Sequence, residues 1–175
     1  SEGYPDLVLP FSQSYLNSRG LARNCDNAWS VGDTGDISTA GGTISATVQK
    51  ISSNSAIIVE DGQVIPSTTL NDIASTWEST IFPTVTSYFG TSPDVDNNCQ
   101  VEIVIFSIDG AGGIGGYFVP GLSSSTDSLF VDIDDLSWRN TIIAHEFQHL
   151  LHNARDPFEF IWIDEGAADM AAYLC

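Results

Sequence analysis

Two different periods of apolar and polar residues run along this chain, and the places where one gives way to the other mark its elements. Ile44, Ala46 and Val48 alternate with polar neighbours, Ser52 to Ser55 supplies turn residues, and Ala56-Ile57-Ile58-Val59 returns. That pattern predicts a hairpin over 44–60, followed by a turn at Asp61-Gly62. From Ser67, read as an N-cap, Leu70, Ile73, Trp77 and Ile81 recur three to four residues apart and predict a helix with one apolar face. Pro83 interrupts or restarts it, Gly90 ends the next turn, and residues 92–98 read as a polar loop. Val101-Glu102-Ile103-Val104-Ile105-Phe106 is the strongest strand, apolar enough for burial on both faces. A glycine-rich loop over 110–116 leads to a short strand, Tyr117-Phe118-Val119, closed by Pro120-Gly121, and Leu129-Phe130-Val131 predicts another strand. Helices are expected at about 140–152 and 164–174, whereas residues 1–43, with short apolar patches such as Leu7-Val8-Leu9, read as irregular.

These elements predict one α+β domain over 1–175, with a twisted, mostly antiparallel sheet packed on the helix near 67–80 and on the helix near 140–152. The glycine-rich loop has neither dinucleotide-binding nor P-loop spacing, lacks a phosphate-contacting Lys and opens no helix, so it reads as a flexible approach to the Tyr117 strand.

Charge narrows what such a domain does. The 175 residues carry 23 acidic side chains against 5 Lys plus Arg, a formal net charge of −18. Nucleic acid needs clustered cations, so this surface excludes it as a partner. Polar surface comes instead from Ser, Thr and Asn, as in Ser52-Ser53-Asn54-Ser55 and Ser123-Ser124-Ser125-Thr126. Such a surface suits secretion and mildly attracts basic partners; it also serves as a plain solubility device. No apolar run approaches the ~18 residues of a membrane span, so no membrane insertion is expected. The chain opens Ser1-Glu2-Gly3-Tyr4-Pro5, which reads as a mature product after removal of a targeting segment, or as an engineered start. In an oxidising compartment Cys25 and Cys99 are candidates for a bridge, leaving Cys175 over; either its partner lies further along a longer parent chain or the pairing differs.

The chemistry concentrates in Ala144-His145-Glu146-Phe147-Gln148-His149-Leu150-Leu151-His152. Residues four apart on a helix lie on one face about a turn apart, which lets the imidazoles of His145 and His149 bind one tetrahedral zinc at about 2.0–2.1 Å. Glu146, offset by one residue, reaches a metal-bound water without taking a ligand position. Ile142, Ile143, Phe147, Leu150 and Leu151 would bury the helix. A catalytic zinc needs a third protein ligand, and Ile163-Asp164-Glu165-Gly166-Ala167-Ala168-Asp169 supplies one in Glu165, expected in the first turn of the next helix. Asp169, one turn on, is a candidate acceptor for the far ring nitrogen of a ligating His. Taken singly, the first motif also fits chance on an amphipathic helix, and Asp164 with Glu165 also fits plain stabilisation of a helix N-terminus. Together, the two segments point to a zinc hydrolase.

The pairing of His145-Glu146-Phe147-Gln148-His149 with Asp164-Glu165-Gly166-Ala167-Ala168-Asp169 resembles the thermolysin-like glutamate-ligand zinc peptidases, the gluzincins. The form His-Glu-Phe-Gln-His-Leu, with the upstream Gly116-Tyr117-Phe118, is most similar to the hyicolysin family of secreted bacterial metallopeptidases. The motifs cover residues 116–170. The resemblance implies a zincin-like catalytic domain, zinc, secretion and neutral endopeptidase activity on a protein or peptide substrate. Its mechanism has zinc lower the pKa of its water towards ~7 while Glu146 accepts the proton and later passes it to the leaving amine. It also implies that substrate adds as an antiparallel strand to a sheet edge, for which Tyr117, Phe118 and Val119 are the candidates; an ordinary surface hairpin is the other reading.

The chain departs from the pattern in two ways. No Tyr lies between the motif and Glu165, so His152 and Tyr173 are the candidate oxyanion stabilisers, and the helical subdomain that follows the third ligand in such enzymes is absent or truncated. A zinc-holding but inactive binding or adhesion module, a fragment of a larger peptidase, and an exopeptidase are therefore the alternatives. Two acidic clusters are candidate calcium sites: Asp94, Asp96, Asn97 and Asn98, and separately Asp132, Asp134 and Asp135.

Overall fold

The computed structural model describes residues 25–122 and 125–175; the Leu7–Leu9 patch and Ser123-Ser124 lie outside the described residues. The architecture is mixed α+β. Six strands, β1 (Thr34–Thr39), β2 (Gly42–Ile51), β3 (Ser55–Glu60), β4 (Val101–Phe106), β5 (Gly116–Tyr117) and β6 (Ser128–Asp132), form one sheet in the order β1-β2-β3-β4-β6-β5. The expected hairpin is β2–β3. The reading of 1–43 as irregular is corrected at β1, an edge strand of Gly, Ser, Thr and Asp around the single apolar Ile37, paired through its backbone to β2. Its alternation carries too few apolar residues to stand out.

Three of the five pairings are antiparallel, but the two central ones, β3–β4 and β4–β6, are parallel. The expectation of a mostly antiparallel sheet thus holds for its two flanks and is corrected at its centre. The chain between β3 and β4 crosses one face of the sheet as a helical stretch: α1 (Ser67–Thr76), a π turn (Trp77–Ile81) and α2 (Phe82–Phe89). A crossover of this kind returns the next strand in the same direction. Ser67 is the first helical residue, and the cap is Pro66 without a side-chain bond. Pro83 comes just after the π turn inside an unbroken helical run, so the missing N–H falls where the helix is locally widened, and Gly90 closes α2 at φ 94°. After β6 a short 3₁₀ turn (Ile133–Trp138) leads into α3 (Arg139–Asn153), and α4 (Ile161–Leu174) follows.

Strands β3, β4 and β6 are buried on both faces, which explains their unbroken apolar runs. On one face Ile57, Val59, Ile103, Ile105, Leu129 and Val131 pack with the helices. On the other, Ile58, Val104, Phe106 and Phe130 meet Ile37 of β1 and Tyr117 of β5, because the sheet curls and brings its two edges together. The Ala40 N–H, between β1 and β2, donates to the Tyr117 hydroxyl at 3.2 Å.

The predicted face of Leu70, Ile73, Trp77 and Ile81 is buried throughout. It meets α3 through Phe147, whose ring centre lies 4.6 Å from Trp77 and 5.8 Å from Phe82. Cys25 and Cys99 form a disulfide, which by loop entropy contributes about 4.5 kcal/mol; Cys175 is a free thiol. Beside that disulfide lies a knot of buried polar groups in which Glu102 accepts from Trp29 Nε1, Asn98 Nδ2 and the Ser128 hydroxyl. Asp127 is buried next to it. Burial above all, opposed by the Val95 N–H and reinforced by Asp96, Asp94 and Glu102, pushes its carboxyl from 3.8 up to about 7.

Phe147→Ala empties the aromatic contact that holds α3 and is expected to lower unfolding stability by about 3–5 kcal/mol in denaturant titration. The raised Asp127 value makes a signed prediction as well. In metal-free buffer the wild type loses stability relative to Asp127→Asn as pH rises from about 4 to about 7, with little further change above, read as the difference in melting temperature.

Candidate metal centre

Helix α3 places its side chains by elementary geometry. Its buried positions, Ile143, Ala144, Phe147, Leu150 and Leu151, turn toward the sheet and helices, so His145 and His149 come together on the opposite, half-buried face. Their rings are 4.8 Å apart and their Nε2 atoms 3.1 Å apart. Glu165 reaches over from α4, with Oε2 3.5 Å from His145 Nε2 and Oε1 3.8 Å from His149 Nε2. Because α4 begins at Ile161, three residues before the predicted start, Glu165 lies in the second helical turn and not the first. Ala168 and Ala171 are the buried positions of α4.

The far sides of the rings fix the tautomers. His149 Nδ1 lies 2.9 Å from Asp164 Oδ2, and a carboxylate only accepts, so Nδ1 carries the proton and Nε2 keeps its lone pair. His145 Nδ1 faces Asp169 Oδ1 at 3.4 Å, the placement expected of Asp169. Burial, and then the neighbouring His149, lower the His145 pKa against the opposing charges of Glu165 and Asp169. The two Nε2 atoms thus converge beside the Glu165 carboxylate, a donor set that fits a cation among the three. Ligands on a tetrahedral zinc at 2.0–2.1 Å lie about 3.3–3.4 Å apart, close to the 3.1 Å between the two Nε2 atoms and the 3.5 Å from His145 Nε2 to Glu165 Oε2. His145, His149 and Glu165 are one of two groups among the described residues whose donor atoms all lie within 4.8 Å of one another.

Glu146 is only 8% exposed and lines the same cleft, together with Gly116, Tyr117, Phe118, Pro120 and Ile161. Its carboxylate accepts the Phe118 backbone N–H. Burial first and the Glu165 charge second push its pKa from 4.5 up to about 8, against the Phe118 bond. A divalent cation at the neighbouring ligands would draw it down again. The cleft holds about 500 Å³.

Close approach of α3 to the sheet edge is what puts Glu146 against Phe118. A Cβ on Gly116 would come 2.4 Å from Ile142 Cγ2 and 2.6 Å from the Phe130 carbonyl oxygen, so only glycine fits. The loop before it is not the flexible approach expected from its glycines. Asp109 accepts from the Ile114 N–H and Asp135 from the Gly112 N–H, while Asp132 accepts from the N–H groups of Asp109 and Asp134. The carboxylates of Asp132 and Asp135 therefore organise the loop, and Asp132, Asp134 and Asp135 are not among the convergent groups of the described residues.

The edge strand is shorter than Tyr117–Val119. Of these three only Tyr117 belongs to β5; Phe118 gives its N–H to Glu146, and Val119 packs into the second core. His152 does not line the cleft; its Nδ1 lies 2.8 Å from Asp164 Oδ1, on the far side from the ligand atoms. Tyr173, near the end of α4, is 89% exposed and does not line it either. Sequence reasoning missed Asp164 as the partner of His149, although its place directly before Glu165 is the signal that points to it. A comparison with protein-family models finds no match, and a search of curated proteins finds none.

Asp164→Ala leaves the His149 ring free to turn and is expected to weaken zinc binding about 10–100-fold, measured by competition with a chromophoric chelator. Zinc affinity equal to that of the wild type would remove Asp164 from the site.

Proposed function

We propose that this chain is a secreted zinc endopeptidase of the gluzincin type, resembling the hyicolysin family, with a zincin-like catalytic domain. The observation that carries this reading is the convergence of His145 Nε2, His149 Nε2 and the Glu165 carboxylate beside Glu146, at the wall of an open cleft. Zinc held by these three residues would supply Lewis acidity, polarising a substrate carbonyl and acidifying water. Glu146, fixed by the Phe118 N–H, is placed to take one proton from the attacking water as the C–O bond forms. It then returns that proton to the leaving nitrogen as the C–N bond breaks. Asp164 and Asp169 keep the imidazoles in the tautomer that presents Nε2. Tyr117 and the backbone beside it at the sheet edge offer the extended substrate a strand to lie against.

Secretion is supported by the Cys25–Cys99 disulfide and by the preponderance of acidic over basic residues. No described helix is long and apolar enough to cross a membrane. One observation favours the alternative of a zinc-holding binding module: neither His152 nor Tyr173 lines the cleft, so neither candidate oxyanion donor is at hand.

Metal analysis of the purified chain is expected to give about one zinc, lost in His149→Ala. An internally quenched peptide blocked at both ends separates the readings: an endopeptidase cuts it, whereas an exopeptidase or a binding module does not. Glu146→Gln is expected to retain zinc and lose turnover by at least ~10³-fold, and undiminished cleavage by that variant would sink the role given to Glu146.

A further inference from the structure

The loop between α2 and β4 carries a second convergence of ligand atoms, away from the His145–His149 cleft. Asp94, Asp96 and Asp127 each place a carboxylate oxygen so that all three lie within 4.8 Å of one another. Asp127 comes from the chain just ahead of β6 and is 1% exposed. Its Oδ2 accepts the Val95 N–H, but its Oδ1 is buried without a hydrogen-bond partner among the described residues. A buried carboxylate oxygen with nothing to accept from is costly, and native structures rarely leave one so. The two described arginines are engaged elsewhere, Arg139 with Asp72 and the Leu136 carbonyl, Arg155 with the carbonyls of Leu151 and Thr91.

We propose that Asp94, Asp96 and Asp127 form a calcium site that fastens the 94–99 loop to the start of β6. The donors are all hard oxygens, which suits calcium and not a soft transition metal. Magnesium demands a near-ideal octahedron and keeps most of its waters, whereas three carboxylates offered by a loop and a strand start suit the larger, more flexible shell of calcium. The remaining positions of a six- to eight-fold shell fall to backbone carbonyls and water.

The structure changes the composition of the site expected from sequence. Asn98 does not join the aspartates as a ligand; its backbone N–H and Nδ2 donate to the two Asp96 carboxylate oxygens and orient them. Cys99 N–H does the same for Asp94 Oδ1. The third ligand is Asp127, distant in sequence. Because Glu102 N–H donates to the Asp127 carbonyl and Asn98 Nδ2 also reaches Glu102, an ion here braces the disulfide-bearing segment against β4 and β6. Its role is structural and independent of the zinc reading.

The test is calorimetry on the purified chain in calcium-free buffer, with and without calcium chloride. Wild type is expected to gain on the order of 5–10 °C in Tm at calcium about 100-fold above Kd, and Asp127→Asn and Asp94→Asn to gain nothing. Both variants keep their zinc, while His149→Ala loses zinc and keeps the calcium response, so the two sites fail separately. Terbium luminescence on the wild type, displaced by calcium and not by magnesium, reports the site even if a variant misfolds. No Tm rise at about 10 mM calcium, which exceeds the range of weak extracellular sites, overturns the proposal. So does an equal rise in Asp127→Asn, or displacement of terbium by magnesium as readily as by calcium.

Discussion

Helix α3 must bury one face completely while holding two imidazoles at the border of a cleft, and the rest of the molecule is arranged around that demand. Phe147 lies between His145 and His149 in sequence but on the opposite side of the helix, against Trp77 and Phe82. Its contact with the helical stretch between β3 and β4 sets the rotation of α3 about its own axis. Once that rotation is set, the 3.6-residue period brings both Nε2 atoms to one point. Gly116 sets the other coordinate, the distance from α3 to the sheet edge, because Ile142 and the Phe130 carbonyl leave no room there for a side chain.

A chain with so few cations has to satisfy its carboxylates by other means. Around the glycine-rich loop, backbone N–H groups do this for Asp109, Asp132 and Asp135. Around the His145–His149–Glu165 cluster, His149 Nδ1 serves Asp164, and Asp169 stands opposite His145. Each of those bonds also tells a functional side chain which way to point, so the acidic composition is part of how the cleft is organised. Asp127 is different. Its unmatched oxygen, crowded by Asp94 and Asp96, has no such partner among the described residues.

The two centres sit at opposite ends of one structural problem. Parallel pairing of β3, β4 and β6 buries three strands on both faces and leaves their flanking loops to be tied down individually. The disulfide and the Asp94–Asp96–Asp127 cluster lie where the chain enters β4 and β6. The aspartate-clamped loop lies where it leaves β4, and α3 follows where it leaves β6.

Local pattern determined much of this protein. The helical period of Leu70, Ile73, Trp77 and Ile81, the apolar run of β4, the β2–β3 hairpin and the His145–His149 spacing are all short-range properties, and a window of a dozen residues contains them whole. The inclusion of Glu165 and Asp169 in the site was legible because both follow the first motif closely and share a helix face. Tertiary structure decided what no window contains. It decided the parallel centre of the sheet, since strand direction depends on the crossover and not on side-chain alternation. It decided β1, whose pairing is made by backbone groups that every residue possesses. It also decided which carboxylate serves which partner: Asp164 for His149, Asp135 for Gly112, Asp127 for the 94–96 loop. A carboxylate looks the same in sequence whether it orients an imidazole, pins a loop or lies buried against other carboxylates, and only its neighbours in space tell these roles apart.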